Sequence, residues 1–481
     1  MTNPMQDMKP EGLTESRGVV SSSIDRVRRA PPPVRVLALL LLLTPLLALP
    51  YLRGDGNGYY AWVRSPVIDH DLDFENEFLR GDPSFLNAVS GDGELLPGMY
   101  TANGHVRNQW GVGPAVVWAP FVVLAHGVVL AGRAVGIGWP ADGYSLPYLW
   151  ISAVVTALAA SIGLLLSFRV SLTFARTGPA VVGTIAIWLA SSLPIYQYLL
   201  PFWPFGIAVL VSSALAWVWH RPGWNGRRWL VLGALSGFAI CVHPVGVTWS
   251  VLPMASLLGL DRGTIGERGR GFAWFALGGL IGLLPQLILK AIVQGSPFDT
   301  GYRESWRFLD PDVFRVLFGA DHGAFSWTPV LFLALIGLVM LLRRDRRLAI
   351  GLLSVFIVMV YLVASYGSYE QSSFGNRFLV WFTPGFVVGA SALADAAWKR
   401  REVVIGVVSV LAVWNVLFMF QWSWGLAPKR GPVNWGVVAR QQMTEAPSEM
   451  ARAVRLFFTD RGELIRIVQQ ADEGNISSGG G

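Results

Sequence analysis

The chain has 481 residues, of which 53% are hydrophobic and 14% are charged. Soluble domains carry roughly 25% charged residues, so the composition excludes an ordinary soluble enzyme and predicts an all-α polytopic membrane protein. The net charge of +7 does not indicate nucleic acid, because the basic residues form short runs between apolar blocks, as they do at the cytoplasmic ends of membrane-spanning helices.

The chain begins with a polar segment that ends in three consecutive prolines. The apolar run after it is not followed by a small-residue cleavage site, which a secretory signal peptide would have. We therefore expect 1–33 to be a disordered cytoplasmic N-terminus, and the first apolar block to be an uncleaved signal anchor.

Apolar blocks of about 20 residues are long enough to cross a bilayer. The sequence predicts about eleven such spans, and they make up a transmembrane domain over 34–421. With a cytoplasmic N-terminus, the first loop (53–111), the second large loop (294–326), the third loop (367–377) and the C-terminal tail (422–481) lie outside. The predicted spans are 34–52, 112–132, 147–168, 179–199, 203–219, 229–260, 272–293, 327–342, 348–366, 378–397 and 402–421.

Two versions of this topology remain open. In the version above, Arg176 and Arg228 fall outside, against the rule that basic loops stay inside. They move inside if 229–260 is two short helices broken at His243, and if 112–132 does not fully cross. Both versions keep the same external loops, and His243 itself is interpreted as a hydrogen-bonded structural histidine.

The first external loop is rich in acids. Asp55 follows the first span closely, which suits a general base acting on a lipid-borne substrate; the alternative is a simple turn of glycine, aspartate and asparagine. Asp69, Asp71 and Asp73 alternate along the chain and could present oxygen ligands to a divalent cation. The alternative for these three is a solvated acidic surface.

Arginines recur in the later external loops. Arg303 and Arg307 follow Tyr302 in the second large loop, and Arg377 stands where the third loop meets the next span. A guanidinium offers paired donors to phosphoryl oxygens, so these residues suit a phosphorylated ligand. Nonspecific contact with lipid headgroups, or an ion pair between Arg377 and Glu370, is the alternative.

Three motifs in this order carry a resemblance. Asp55 is followed by Tyr59, Tyr60, Ala61 and Arg64; the second loop has GSPFDTGY at 295–302; and FGNRF stands at 374–378. Over roughly 34–421 the chain resembles the GT-C superfamily of polyprenyl-phosphate-dependent glycosyltransferases, near the bacterial protein O-mannosyltransferase and aminoarabinose transferase branch.

The resemblance implies an inverting transfer of a hexose or pentose from a polyprenyl-phosphate donor to a lipid, glycan or protein acceptor, outside the bacterial cytoplasmic membrane. Asp55 would be the base. The partners would be the lipid-linked donor and membrane lipids, with no nucleic acid; the oligomeric state stays open. No cofactor is certain, and a divalent cation at Asp69 and Asp71 stays an alternative. The substrate-binding residues would be Tyr59, Tyr60, Arg64, Arg107, Tyr302, Arg303, Arg307 and Arg377.

The chain departs from the family pattern at two places. Gly56 replaces the acid that commonly follows the catalytic aspartate, and Asn108-Gln109 replaces a lysine before the second span. Arg107 is the candidate substitute for that lysine. The competing hypothesis is a transporter or a flippase for lipid-linked sugars. Such proteins tend to show inverted repeats and charges at mid-membrane, whereas here no second half echoes the first and nearly all acids lie in loops.

Overall fold

Residues 31–80, 88–302, 305–367 and 373–477 are described by a computed structural model, with side chains described as far as residue 471. The predicted N-terminal segment 1–33 lies almost wholly outside these residues. The described part of the chain is built of helices and contains no β-strand, only three isolated β-bridges. Lipid offers no hydrogen-bonding partners, so apolar segments satisfy their backbone groups internally as helices. The all-α fold class is confirmed.

The α-helices, in chain order, are α1 Pro32–Leu43, α2 Asp55–Arg64, α3 Glu75–Phe78, α4 Gly113–Ala134, α5 Leu146–Ser171, α6 Thr177–Ala190, α7 Phe205–His220, α8 Gly226–Val242, α9 Val251–Ala255, α10 Ile265–Gln294, α11 Val313–Phe318, α12 Ala324–Trp327, α13 Val330–Leu341, α14 Arg346–Ala364, α15 Thr383–Ala396, α16 Arg401–Ser423, α17 Trp435–Thr444, α18 Ala446–Thr459 and α19 Arg461–Ser477. Short 3-10 or π-helical segments cover Thr44–Leu47, Ser65–Asp69, Pro97–Met99, Ile195–Leu199, Pro244–Ser250, Ser256–Leu260, Arg377–Phe382 and Trp398–Arg400.

Basic residues gather at one end of the helix bundle. The Asp395 carboxylate, at the end of α15, accepts hydrogen bonds from Arg176 Nε at 2.8 Å and from Arg344 Nη1 at 2.5 Å. Arg176 precedes α6 and Arg344 lies between α13 and α14, so these three connections lie together.

The same end includes the turn before α8 and the turn before α10. Arg347, in the first turn of α14, donates to Asp261 Oδ2 at 2.8 Å and to Trp219 O at 3.1 Å. Arg228, at the start of α8, donates to Trp219 O at 2.7 Å. We call the turns at 171–177, 220–226, 260–265, 342–346 and 396–401 the basic end.

Helix α4 starts and ends away from the basic end. Its N-terminal neighbour Val112 donates its backbone N–H to Gln286 Oε1, on the last third of α10, at 3.1 Å. The segment after α4 returns to α2, where Arg64 Nε donates to Asp142 O at 3.0 Å. At 22 residues the helix is long enough to cross, but a helix whose two ends lie at the same end of the bundle does not.

The block 229–260 is two segments rather than one span. Helix α8 ends at Val242, His243 is extended (φ −167°, ψ 143°), and a new 3-10 helix starts at Pro244. This break, together with the position of both ends of α4, favours the second of the two versions left open above. Among the described residues, six helices are long and apolar enough to cross a membrane, and shorter apolar helices accompany them. In the second version, Arg176 and Arg228 join the other arginines at the basic end.

Helices α8 and α10 approach each other backbone to backbone. A Cβ added at Gly237 would lie 2.1 Å from Gly279 O, and one at Gly278 would lie 2.1 Å from Leu230 O. Glycine at such positions lets neighbouring membrane helices pack closely. The contact fixes the last turns of α10 beside His243, at the end of the bundle opposite the basic end.

Candidate active site

Asp55 begins a helix rather than a turn. Gly54 precedes it with φ 56°, a left-handed conformation that glycine adopts without strain, and Asp55 then lies in the first turn of α2, where a carboxylate interacts favourably with the helix dipole. A Cβ on Gly58 would come within 1.9 Å of the Trp110 ring. The glycines of 54–58 therefore serve the entry and the close packing of this helix.

Arg377 lies directly beside Asp55. Its Nη1 lies 3.4 Å from Asp55 Oδ2, and the side chains of Arg377 and Asp55 are 10% and 34% exposed. The guanidinium carbon lies 5.1 Å from the centroids of both the Trp203 and Phe378 rings, so aromatic faces hold it from two sides. The carboxylate is accessible, and the cation beside it is largely shielded from water.

Asp55 and Arg377 lie in the wall of one cavity of about 210 Å³. Six segments that are far apart in sequence meet there: the first loop with α2, the start of α7, the break after α8, the second large loop, the end of α14 and the third loop. Most of the wall is aromatic or apolar, with a few polar groups facing inwards, a composition typical of small-molecule sites. The lining residues are Asp55, Tyr59, Gln109, Trp110, Pro204, Phe205, His243, Pro244, Val245, Thr300, Tyr302, Trp306, Leu362, Val363, Tyr366, Arg377 and Phe378.

Two tyrosines from different loops meet in this wall. Tyr59, on α2, is hydrogen-bonded to Tyr302 of the second large loop. Burial, and then the nearby Tyr302 and Asp55, raise the pKa of Tyr59 well above its ordinary value. Tyr59 is therefore a neutral phenol, which donates a hydrogen bond and does not serve as a base.

A buried lysine supports the cavity wall from behind. Lys290 Nζ, on α10, donates to Asn108 O at 2.5 Å and to Thr300 O at 3.1 Å, and Gln294 Nε2 donates to the same Asn108 carbonyl at 3.0 Å. The Asn108 side chain donates to Gly58 O at 2.9 Å. These bonds tie the first loop, the second loop and α2 to one helix. The sequence signal for Lys290 is a lysine inside an apolar block, and it does not belong to any of the three motifs.

Four of the residues that the sequence predicted as site residues line the cavity: Asp55, Tyr59, Tyr302 and Arg377. Tyr60 points away from it and donates its hydroxyl to Gly143 O at 2.7 Å. Arg303 lies outside the described residues, and so does Glu370, the alternative ion-pair partner of Arg377.

The remaining predicted arginines are outside the cavity wall. Arg64 forms ion pairs with Glu77, at 3.0 Å, and with Asp69. Arg107 is tied by its backbone N–H to Met99 O at 2.7 Å, and Arg307 by its backbone N–H to Ser365 O at 2.7 Å. Arg307 is exposed on the surface of its loop.

The acids after α2 are occupied by protein groups. Asp69 binds Arg64 and accepts from Asn76 Nδ2 at 2.8 Å, and Asp71 Oδ1 accepts from Ser65 Oγ at 2.6 Å. Within the described part of the chain, no cluster of three or more histidine, cysteine, aspartate or glutamate side chains could hold a metal ion. The divalent cation at Asp69 and Asp71 stays a prediction.

Sequence comparison adds nothing: no protein-family model matches the chain, and no curated protein matches it either. Among solved structures, the apo crystal structure of ArnT from Cupriavidus metallidurans is similar with a TM-score of 0.50 at 14% identity, covering 94% of this chain and 75% of that one. The chain shares the fold of ArnT. A second crystal structure of ArnT, bound to undecaprenyl phosphate, has a TM-score of 0.47 at 18% identity and covers 91% of this chain and 74% of that one.

Proposed function

We propose that this protein is a membrane glycosyltransferase that moves a sugar from a polyprenyl-phosphate donor to an acceptor hydroxyl or amine. The observation that carries the proposal is the Asp55 carboxylate 3.4 Å from the Arg377 guanidinium, in the wall of an aromatic cavity. A base and a cation side by side are what a reaction needs when it deprotonates a nucleophile and expels a phosphate. The fold shared with ArnT and the GT-C-like motifs of the sequence support the same reaction class.

In the proposed reaction, Asp55 takes the proton of the acceptor as the acceptor oxygen or nitrogen attacks the anomeric carbon. The bond from that carbon to the phosphate oxygen breaks, and its electron pair leaves with the polyprenyl phosphate. Arg377 stabilises the developing negative charge, and the phenol of Tyr59 or Tyr302 donates to the sugar or the phosphate. A single displacement inverts the anomeric configuration. No step requires a nucleotide.

The location of the cavity supports action at the outer face of the bacterial cytoplasmic membrane. The cavity lies at the end of the bundle opposite the basic end, and basic turns stay in the cytoplasm. Asp55, Trp110 and Tyr302 in its wall belong to the predicted external loops. The identities of the sugar and of the acceptor, whether lipid, glycan or protein, are not part of the proposal.

The test is sugar transfer by purified protein from undecaprenyl-phosphate-linked sugars to a panel of lipid and peptide acceptors. We expect Asp55→Asn to lower kcat by about 10²- to 10⁴-fold, the usual contribution of a general base, while undecaprenyl phosphate still binds. Thr459→Cys, an exposed change on α18, is the matched control and should transfer normally. Equal rates for wild type and Asp55→Asn would remove Asp55 from the chemistry.

A further inference from the structure

His243 occupies a place in the cavity wall that the reaction above leaves unused. It is 9% exposed and stands at the break between α8 and the following 3-10 helix. Its ring lies 5.4 Å from Phe378 and 6.5 Å from Tyr302, centroid to centroid, and all three residues line the cavity. Phe378 follows Arg377 directly, so the imidazole is a close neighbour of the cation that faces Asp55.

The hydrogen bonds of His243 fix its tautomer. The backbone N–H of Val245 donates to Nδ1 at 3.2 Å, so Nδ1 carries a lone pair and no proton. A neutral imidazole bears its proton on the other nitrogen, so Nε2–H is a donor. Among the described residues, none is hydrogen-bonded to Nε2.

The backbone around His243 leaves the ring little freedom. Its own N–H donates to Ala239 O at 3.1 Å, and its carbonyl accepts from Gly246 N at 2.8 Å. On the side of α4, a Cβ on Gly113 would lie 2.5 Å from Val242 N, so the start of α4 packs directly against the backbone that precedes His243. The imidazole is therefore held in one orientation before any ligand arrives, as a preorganised donor should be.

We propose that His243 is a substrate-binding residue whose Nε2–H donates a hydrogen bond to a phosphoryl oxygen of the lipid-linked ligand, beside Arg377. The inference rests on the proposed function. It adds a neutral hydrogen-bond donor beside Arg377, the cation of the proposed reaction. The leaving phosphate gains negative charge as the glycosidic bond breaks, and a hydrogen bond from Nε2–H stabilises that charge. A neutral imidazole is sufficient for this, because its proton is shared in a hydrogen bond and is not transferred. His243 then has two roles, the structural one at Nδ1 and ligand binding at Nε2.

Two substitutions separate these roles. His243→Asn places its side-chain oxygen where Nδ1 was, so it keeps the bond from Val245 but removes the donor into the cavity. His243→Gln places an amide N–H near the position of Nε2, so it keeps the donor and loses the bond from Val245. The measurements are undecaprenyl phosphate affinity, transfer rate and unfolding temperature of the purified full chain.

We expect His243→Asn to unfold at the wild-type temperature. Its affinity for undecaprenyl phosphate should fall roughly 10- to 100-fold, the usual effect of removing a hydrogen bond to a charged group, and any fall in its transfer rate should accompany that loss of affinity. His243→Gln should unfold at a temperature a few degrees lower than wild type, and its affinity for undecaprenyl phosphate should stay within a few-fold of the wild-type value. Wild-type affinity in His243→Asn overturns the inference, and so does a lower transfer rate without an affinity loss, because that places the donor on the sugar. A wild-type protein that neither binds nor transfers overturns the proposed function itself.

Discussion

At the scale of single residues, the site combines groups whose chemistry is set by burial as much as by their type. Asp55 keeps a third of its side chain exposed beside Arg377 and is available to take a proton. Glu77, on the same loop, is 3% exposed, and its Oε2 is buried with no hydrogen-bond partner among the described residues. Two acids of one loop therefore have different roles.

The pKa of Glu77 predicts a pH dependence of stability. Burial raises this pKa from 4.5 to about 7, against the opposing effect of the hydrogen bond from Arg64. Glu77 therefore binds a proton more tightly in the folded protein than in the unfolded chain. The free energy of unfolding decreases as the pH rises from about 4.5 to 7, and above about pH 7 Glu77 makes no further change to it. We expect the unfolding temperature to fall over this window.

The measurement is thermal unfolding of wild type and Glu77→Gln in the same detergent between pH 4.5 and 8. The glutamine cannot lose a proton, so its unfolding temperature should depend less on pH in this window than that of wild type. Glu402→Gln is the matched control, because Glu402 is exposed; it should follow wild type. Parallel curves for Glu77→Gln and wild type would contradict the assignment.

At the scale of elements, the site depends on how closely α2 packs against the segment that carries Trp110. Gly58 permits this contact, since a Cβ there would lie 1.9 Å from the indole. Trp110 in turn lines the cavity beside Tyr59, with the two ring centroids 6.5 Å apart. A displacement of α2 therefore moves Asp55 and the aromatic wall together.

We expect Gly58→Ala to lower the stability by about 1–3 kcal/mol, the usual cost of overpacking, and to lower transfer activity, because Trp110 is pushed into the cavity. Gly98→Ala is the matched control: the same loop, with nothing within 4 Å of the added Cβ. The measurements are unfolding temperature and transfer rate. Wild-type values for both in Gly58→Ala would show that α2 and Trp110 can separate without cost.

At the scale of the whole molecule, the arrangement of the arginines decides the topology. Arg176, Arg228, Arg344 and Arg347 lie at the same end of the bundle, through their bonds to Asp395, Asp261 and Trp219 O. The cavity lies at the other end. The version of the topology in which 112–132 does not cross satisfies the charge rule at every basic turn.

This topology can be checked by labelling single cysteines with a membrane-impermeant maleimide. In a Cys241→Ala background, we expect Thr459→Cys to react in intact cells and Arg227→Cys to react only after the cells are permeabilised, because both positions are exposed on opposite sides of the membrane. The background alone should not react. Labelling of Arg227→Cys in intact cells would restore the first version, in which the turn at 220–226 lies outside.

The sequence by itself determined the membrane class and the helical fold, because long apolar runs with short basic turns leave a chain in lipid few alternatives. It also pointed to Asp55 and Arg377, since each stands where a polar loop joins an apolar block. The break at His243 was visible to it as one of two alternatives.

Only the tertiary structure decided which of these residues share a site. Arg64 and Tyr60 belong to the same sequence motif as Tyr59 but do not line the cavity. Arg64 binds Glu77 and Tyr60 donates to Gly143 O, because successive positions of one helix point to different sides. Lys290 and His243 became informative only once α10 and the break after α8 were packed beside the first loop. Contacts between segments so distant in sequence depend on how the helices pack, and no local pattern records that packing.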